Sequence, residues 1–281
     1  INNDSTNETA NVGNATSKFI SRRVKLADGQ EAEDVRLSIA LKQPAGSSFK
    51  IYFKGQSPED DGDFYEDLPW VEMELEAGQI AGNSASQKNF TDFNFKLPST
   101  VLNGDGVFNY TSKRVNALTI GTAGSGYTNT SSVDFIITGG GTPTRPAAVK
   151  ATALSGGGLG TIEIVDPGRG YSSAPTITVA KNHTVSTFFA SGTFVGNGSN
   201  LYEATIGGTT GASSAPTHGS GTATDGTVTW TYRGVRPVVT CTVADTTFER
   251  FKQFSSKIVM LTSNTSVIPE AKQLRIIALQ A

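Results

Sequence analysis

A short phrase occurs twice in this chain and constrains what it can fold into. Gly124-Ser125-Gly126-Tyr127-Thr128 precedes the run Val133 to Thr138, and Gly168-Arg169-Gly170-Tyr171-Ser172 precedes Ala174, Pro175 and the run Thr176 to Val179. Each copy also follows a short apolar run, Leu118 to Ile120 and Ile162 to Val165. The unit therefore reads strand, glycine turn with tyrosine, strand, at a period of 44 residues. Glycine admits the positive φ of tight turns, and a tyrosine ring can cover one. Fixed residues of this kind specify a turn rather than a catalytic centre, which predicts a protein that builds or binds.

Composition points the same way. A chain of 281 residues can form two or three modest domains, each with its own core. Charged residues make up only 17%, the formal net charge is −2, and 31 glycines join many serines and threonines, the balance of an all-β protein with many turns. Such a near-neutral surface gives no electrostatic ground for binding nucleic acid, and no apolar run has the length to cross a bilayer. The single cysteine, Cys241, rules out an intrachain disulfide and a thiolate zinc site, and is expected as a small buried residue in a strand. Residues 1–17 are mostly polar and lack the charged and apolar parts of a signal peptide, so they are expected to form a linker. Asn-x-Ser/Thr sequons, including those at Asn7, Asn14, Asn89, Asn109, Asn129, Asn182, Asn197 and Asn264, follow from the serine and threonine content, or mark glycan attachment if the chain is a secreted cell-surface protein.

From Phe19 onward the chain alternates with the two-residue period of half-buried strands. Val35, Leu37, Ile39 and Leu41 alternate with Arg36, Ser38 and Lys42; Phe49, Ile51 and Phe53 alternate with Lys50, Tyr52 and Lys54. Val71, Met73 and Leu75 alternate with Glu72, Glu74 and Glu76, and Phe93, Phe95 and Leu97 form a further strand. Lysines on one segment and glutamates on the next would make a cross-strand charged face if the two pair. After Ser112 the texture changes to glycine, threonine and small residues, and it reverts near Thr246 with Phe248, Phe251, Phe254, Lys257 to Leu261 and Leu274 to Leu279. Two late apolar strands are marginal by themselves, so they are expected to complete the sheets begun by the front of the chain. The predicted fold is all-β: a β-sandwich, jelly-roll-like, from residues 18–112 plus 246–281. A Gly-Tyr repeat module (113–185) and a small β module (186–245) are inserted into one of its loops.

Catalytic patterns are sparse. His183 and His218 lie in different modules, and neither H-E-x-x-H, G-x-S-x-G nor a Walker loop occurs. Glycine triplets at 139–141 and 156–158 lack the lysine and hydroxyl of a phosphate loop and read as tight turns. No catalytic residue and no cofactor is expected. Glu59, Asp60, Asp61, Asp63, Glu66 and Asp67 crowd into nine residues. Hard oxygen ligands in a loop suit calcium, with Asp60, Asp61 and Asp63 as candidate ligands, although the spacing departs from the EF-hand; a solvated acidic loop is the other reading. In the small module, Tyr202, Trp230 and Tyr232 could present rings to the apolar face of a sugar, and Trp230 and Tyr232 share a strand face. The same spacing suits the core of a module with few other large residues.

The segments Phe19-Ile20-Ser21-Arg22-Arg23-Val24 with Leu26 to Gly29, Pro69-Trp70-Val71, and Phe254 to Leu261 followed by Ser263-Asn264-Thr265-Ser266, Pro269 and Leu274 to Gln280 resemble virion structural proteins from the tail and baseplate region of marine T4-like tailed phages. Residues 193–234, with Gly207-Gly208-Thr209-Thr210-Gly211, Ala215-Pro216-Thr217-His218 and Asp225-Gly226-Thr227-Val228-Thr229-Trp230, resemble a small module of phage tail and fibre proteins that is likened to carbohydrate-binding modules of chitinases. The resemblance implies a non-enzymatic virion component of the baseplate or tail fibre, docked through its sandwich with inserted modules projecting outward. Its partners would be other tail or baseplate proteins and further copies of itself in the particle. A host-surface glycan would be the ligand if the chain is instead an adhesin.

Overall fold

The computed structural model describes residues 8–13, 15, 17–77, 89–212, 215–263 and 268–280. The described chain is all β apart from single 3-10 turns at Ser99–Val101 and Thr130–Ser132. The strands run in order β1 (Lys18–Ile20), β2 (Val24–Lys25), β3 (Asp34–Lys42), β4 (Ser47–Gln56), β5 (Val71–Glu72), β6 (Glu74–Leu75), β7 (Thr91–Lys96), β8 (Asn109–Thr122), β9 (Phe135–Thr138), β10 (Ala148–Ser155) and β11 (Gly158–Asp166). They continue with β12 (Thr176–Val179), β13 (Lys181–Asn182), β14 (Phe188–Phe189), β15 (Phe194–Asn197), β16 (Asn200–Ile206), β17 (Gly208–Thr209), β18 (Thr222–Asp225), β19 (Val228–Val235), β20 (Val238–Glu249), β21 (Gln253–Thr262) and β22 (Glu270–Leu279). Contacts divide the chain into two compact units, one of residues 1–111 with 247–281, the other of residues 112–246.

The first unit is a sandwich-like pair of sheets. One has the order β1-β21-β4-β5 with β2 also on β21; the other has the order β22-β3-β7-β6. Strand β21 pairs antiparallel with β4 along its whole length, Gln253 opposite Gln56 and Thr262 opposite Ser47, and β22 pairs with β3. The two closing strands thus sit in sheets begun by the front of the chain. Alternation decides which side chains meet: Val35, Leu37, Ile39 and Leu41 of β3, Ile51 and Phe53 of β4, Phe93 and Phe95 of β7, and Phe254 and Ile258 of β21 form one core. Phe251 is fully buried at its centre, 5.1 Å from Phe53 and 5.6 Å from Phe108 between ring centroids. The cross-strand charges also meet, Lys50 with Glu72 at 3.6 Å and Arg36 with Glu76 at 3.2 Å.

Two expectations change. The run Val71 to Glu76 is not one strand: β5 pairs with β4 in the first sheet and β6 with β7 in the second, so the chain crosses between the sheets at Met73, whose side chain is buried in the core. Nor are residues 8–13, 15 and 17 a free linker. Glu8 and Ala15 are buried, and Ser17 accepts a hydrogen bond from the Met260 amide at 3.0 Å. This stretch is held through lysines and main-chain carbonyls rather than apolar side chains, so hydropathy does not reveal it. Residues 1–7, 14 and 16 lie outside the described residues.

In the second unit the two Gly-Tyr copies are interlocked. The Val115 amide donates to Pro167 O at 2.9 Å and the Leu159 amide to Ala123 O at 2.8 Å; the Tyr171 amide donates to Lys113 O at 3.1 Å and the Tyr127 amide to Gly157 O at 2.9 Å. In each pair of bonds the positions differ by the same 44-residue period, so each copy gives the other what it receives, as expected of an internal pseudo-two-fold. The second strands of the copies, β9 and β12, pair antiparallel with each other. Tyr127 and Tyr171 are both buried, and Tyr171 Oη accepts the Ala147 amide at 2.7 Å. The turns require glycine: Gly126 has φ +89° and a Cβ there would lie 2.5 Å from Cβ of Arg233, while Gly168 has φ +67° with 2.7 Å to the Ala147 amide nitrogen.

The boundary between the inserted parts also differs from the sequence division at 185/186. Strand β20 joins the sheet β8-β20-β12-β9 of the Gly-Tyr copies, whereas β13-β15-β16-β19-β18 form a separate five-stranded sheet. The two parts share a core in which Tyr127, Leu159 and Ile177 pack with Phe194 and Leu201, the Tyr127 and Phe194 rings 4.6 Å apart. Arg236 fastens the same junction, donating from Nε to Val179 O at 2.6 Å and from Nη1 to Asn182 Oδ1 at 2.9 Å. Cys241 lies half-buried in β20, its Sγ donating to Pro175 O at 3.2 Å, and burial raises its thiol pKa.

Candidate functional site

The three aromatic candidates stand in the five-stranded sheet. Tyr202 on β16 and Tyr232 on β19 are direct cross-strand partners with ring centroids 5.8 Å apart. Alternation along β19 sends Val228 and Trp230 inward, where they join Phe189, Val195, Tyr202 and Ala204 in one cluster. Trp230 and Tyr202 have no exposed surface (0%), and Tyr232 is half-buried against them. A ring stacks on a sugar only through an open face, so Trp230 and Tyr202 form the module core here instead of a sugar platform. Their polar atoms are spent internally. Tyr202 Oη donates to His218 O at 2.8 Å and accepts from Asn200 Nδ2 at 3.0 Å.

Around Trp230 the module builds a buried polar node. Asp225 Oδ2 meets His183 Nε2 at 2.7 Å and takes a long bond from Trp230 Nε1 at 3.4 Å, while Asp225 Oδ1 accepts the Gly211 amide at 2.7 Å. Burial opposes the Asp225 charge, but the bonds from His183, the Gly211 amide and Trp230 outweigh it and hold the carboxyl below its ordinary pKa. The His183 ring lies between Phe189, at 6.2 Å and nearly parallel, and Trp230, at 5.9 Å. With its Nε2 committed to Asp225, the imidazole is part of a wall that fastens β13 and the β18–β19 turn. A small pocket of about 200 Å³ opens beside this node, lined by Pro216, Thr217, His218, Thr224, Asp225 and Trp230 among others.

The acidic candidates are turned toward the backbone. Asp60 is buried, accepting the Gly62 amide at 2.8 Å and the Tyr110 hydroxyl. Asp63 Oδ1 accepts the amides of Tyr65 at 2.8 Å and Glu66 at 3.0 Å, bonds that lower the Asp63 pKa, and Asp67 Oδ2 accepts the Asp63 amide at 2.9 Å. Asp61 is exposed. Asp60 and Asp63 thus act as caps of consecutive turns, and no cluster of three or more His, Cys, Asp or Glu side chains arranged for a metal occurs among the described residues. The calcium expectation for Asp60, Asp61 and Asp63 finds no such geometry. Among the described residues no helix is long and apolar enough to cross a membrane.

An aromatic that sequence reasoning passed over is Phe188, 69% exposed on β14 beside the buried Phe189. Adjacent phenylalanines in a strand must point to opposite faces, and that signal was available in the pair itself. Val185 and Ile206 of the same module are also exposed. Comparison with family models, curated proteins and solved structures finds no match to this chain.

Proposed function

We propose that this chain is a non-enzymatic structural component of a tailed-phage virion, located in the baseplate or tail fibre and bonded to neighbouring tail proteins and to further copies of itself. The observation that carries the reading is the insertion architecture. A compact unit with its own cores, residues 112–246, is spliced into a sandwich whose sheets are completed by the closing strands β21 and β22. Close-packed sheets suit a particle that must hold shape under load, and an insertion lets contacts vary without altering the frame. The commitment of Trp230, Asp225, His183 and Asp60 to internal bonds supports a building role, as does the resemblance of residues 19–29, 69–71 and 254–280 to tail and baseplate proteins. Labelling purified particles with an antibody to the chain tests it. Decoration of the tail end is expected, and particles that carry no label while infected cells contain the protein would refute it.

Exposed Phe188 gives a second reading a specific footing, that of an adhesin gripping a host-surface glycan. On that reading the stacking ring is Phe188 rather than Trp230, and Phe188→Ala abolishes glycan capture without moving Tm. An array on which the wild-type chain captures no glycan removes this reading.

A further inference from the structure

Residues 8–13, 15 and 17 lie on the outer face of the first sheet and are held there by an unusual set of contacts. Three lysine ammonium groups each grip a main-chain carbonyl: Lys50 Nζ donates to Glu8 O at 2.9 Å, Lys257 Nζ to Ala10 O, and Lys18 Nζ to Gly13 O at 2.9 Å. The Glu8 side chain is wholly buried, paired with Lys18 at 3.1 Å and accepting the Ala15 amide at 3.1 Å. Asn11 Oδ1 accepts the Trp70 amide at 3.0 Å. Beneath the segment Tyr52, Val259 and Leu261 form a small apolar patch, to which the described residues of the segment contribute Ala10 and Ala15. The main core, built from β3, β4, β7 and β21, contains none of these residues.

Two consequences follow. The sandwich is complete without the segment, so its departure leaves the principal core intact. The face it leaves is an apolar centre rimmed by Lys50, which also pairs with Glu72, and by Lys257, with Lys54 and Lys257 set over the Trp70 ring at 4.9 and 5.3 Å, which is complementary to an extended peptide whose main-chain carbonyls accept from the lysines. The geometry points to a docking face for such a peptide, filled by residues 8–17 of the same chain and open to the same residues of a second copy. Bonding and shape match that occupant position by position, the Glu8 and Ala10 carbonyls for Lys50 and Lys257 and two alanines for the shallow patch, while the Glu8 carboxylate braces the arm internally through Lys18 and the Ala15 amide. Exchange of this arm would link copies without new surface, because the contacts made between chains repeat those made within one.

A fluorescent peptide of residues 1–21 stands in for the second copy's arm. It is titrated into the full chain and into the full chain carrying Glu8→Gln, whose own arm loses its buried charge. The expected result is saturable binding about tenfold tighter to the variant than to the wild-type chain, and a similar loss when Glu8→Gln is placed in the peptide. Absence of binding to the folded variant overturns the proposal. Should the variant fail to fold, hydrogen exchange on the wild-type chain decides. Amides of residues 9–17 are expected to exchange well ahead of those of β3 and β21, and exchange of both only with global unfolding overturns it.

Discussion

Replacing Trp230 by alanine separates a core ring from a surface ring by magnitude. The indole is fully buried, packs edge-on against Phe189 at 5.3 Å and adjoins Val228, Val195 and Tyr202. Emptying a tryptophan-sized site in a packed core costs about 3–5 kcal/mol, a range that includes the ~0.5–1.5 kcal/mol of the aromatic pair. The Nε1 bond to Asp225, long at 3.4 Å, adds little, so a loss of about 4 kcal/mol is expected. With an m-value of roughly 2 kcal/mol per molar urea the midpoint falls by about 2 M. Far-UV circular dichroism through a urea series reads this directly, and Trp70 remains as a fluorescent reporter in the first unit. A surface ring would change stability by about 0.5 kcal/mol or less. A measured loss below ~1 kcal/mol with unchanged m would refute the core assignment and return Trp230 to the list of ligand-binding rings.

Asp225→Asn keeps an oxygen for the Gly211 amide but replaces the Oδ2 that meets His183 Nε2 and Trp230 Nε1 by an NH2 group, and is expected to cost about 2–3 kcal/mol in urea unfolding. Because the folded carboxyl has the lower pKa, its contribution is present above the ordinary carboxylate range and fades as pH falls through the folded pKa; the variant therefore loses less on acidification than the wild type. Lys54 gives a slope of the same sign at a higher pH. Burial first, then Lys257, lowers its pKa to about 8, so the unfolded chain binds more protons between about 8 and 10.5 and stability rises with pH through that window. Lys54→Met flattens the rise in midpoint measured from pH 8 to 10. Gly126→Ala forces a side chain into positive φ and against Arg233, and a drop in Tm equivalent to about 1–3 kcal/mol is expected by calorimetry.

Much of the frame was legible because its physics is local. Val35 to Leu41 and Phe49 to Phe53 announce their faces by alternation, and late apolar strands too few to fold by themselves implied pairing with the front. What alternation cannot state is the partner. The residues Val71 to Glu76 keep one apolar face while changing sheets at Met73, since both sheets border the same core. The 44-residue period was visible, yet the reciprocal bonds between its copies join main-chain atoms and leave no side-chain trace. The aromatic trio was ambiguous for a related reason: Trp230 and Tyr232 share a face whether that face meets a sugar or a core. Glu8 was hidden in a polar stretch because its carboxylate is balanced by Lys18 and the Ala15 amide, while the carbonyls around it are held by Lys50 and Lys257, residues distant in sequence. Phe188 could have been found, since Phe189 claims the inward face.

The central proposal, a building role in a tailed-phage particle, is tested most directly by quantitative mass spectrometry of phage particles purified through a density gradient from cultures that produce the chain. The account predicts its peptides in the particle fraction at a fixed ratio to other tail proteins across preparations. Peptides confined to the soluble fraction of those cultures, with none in the particles, would contradict it.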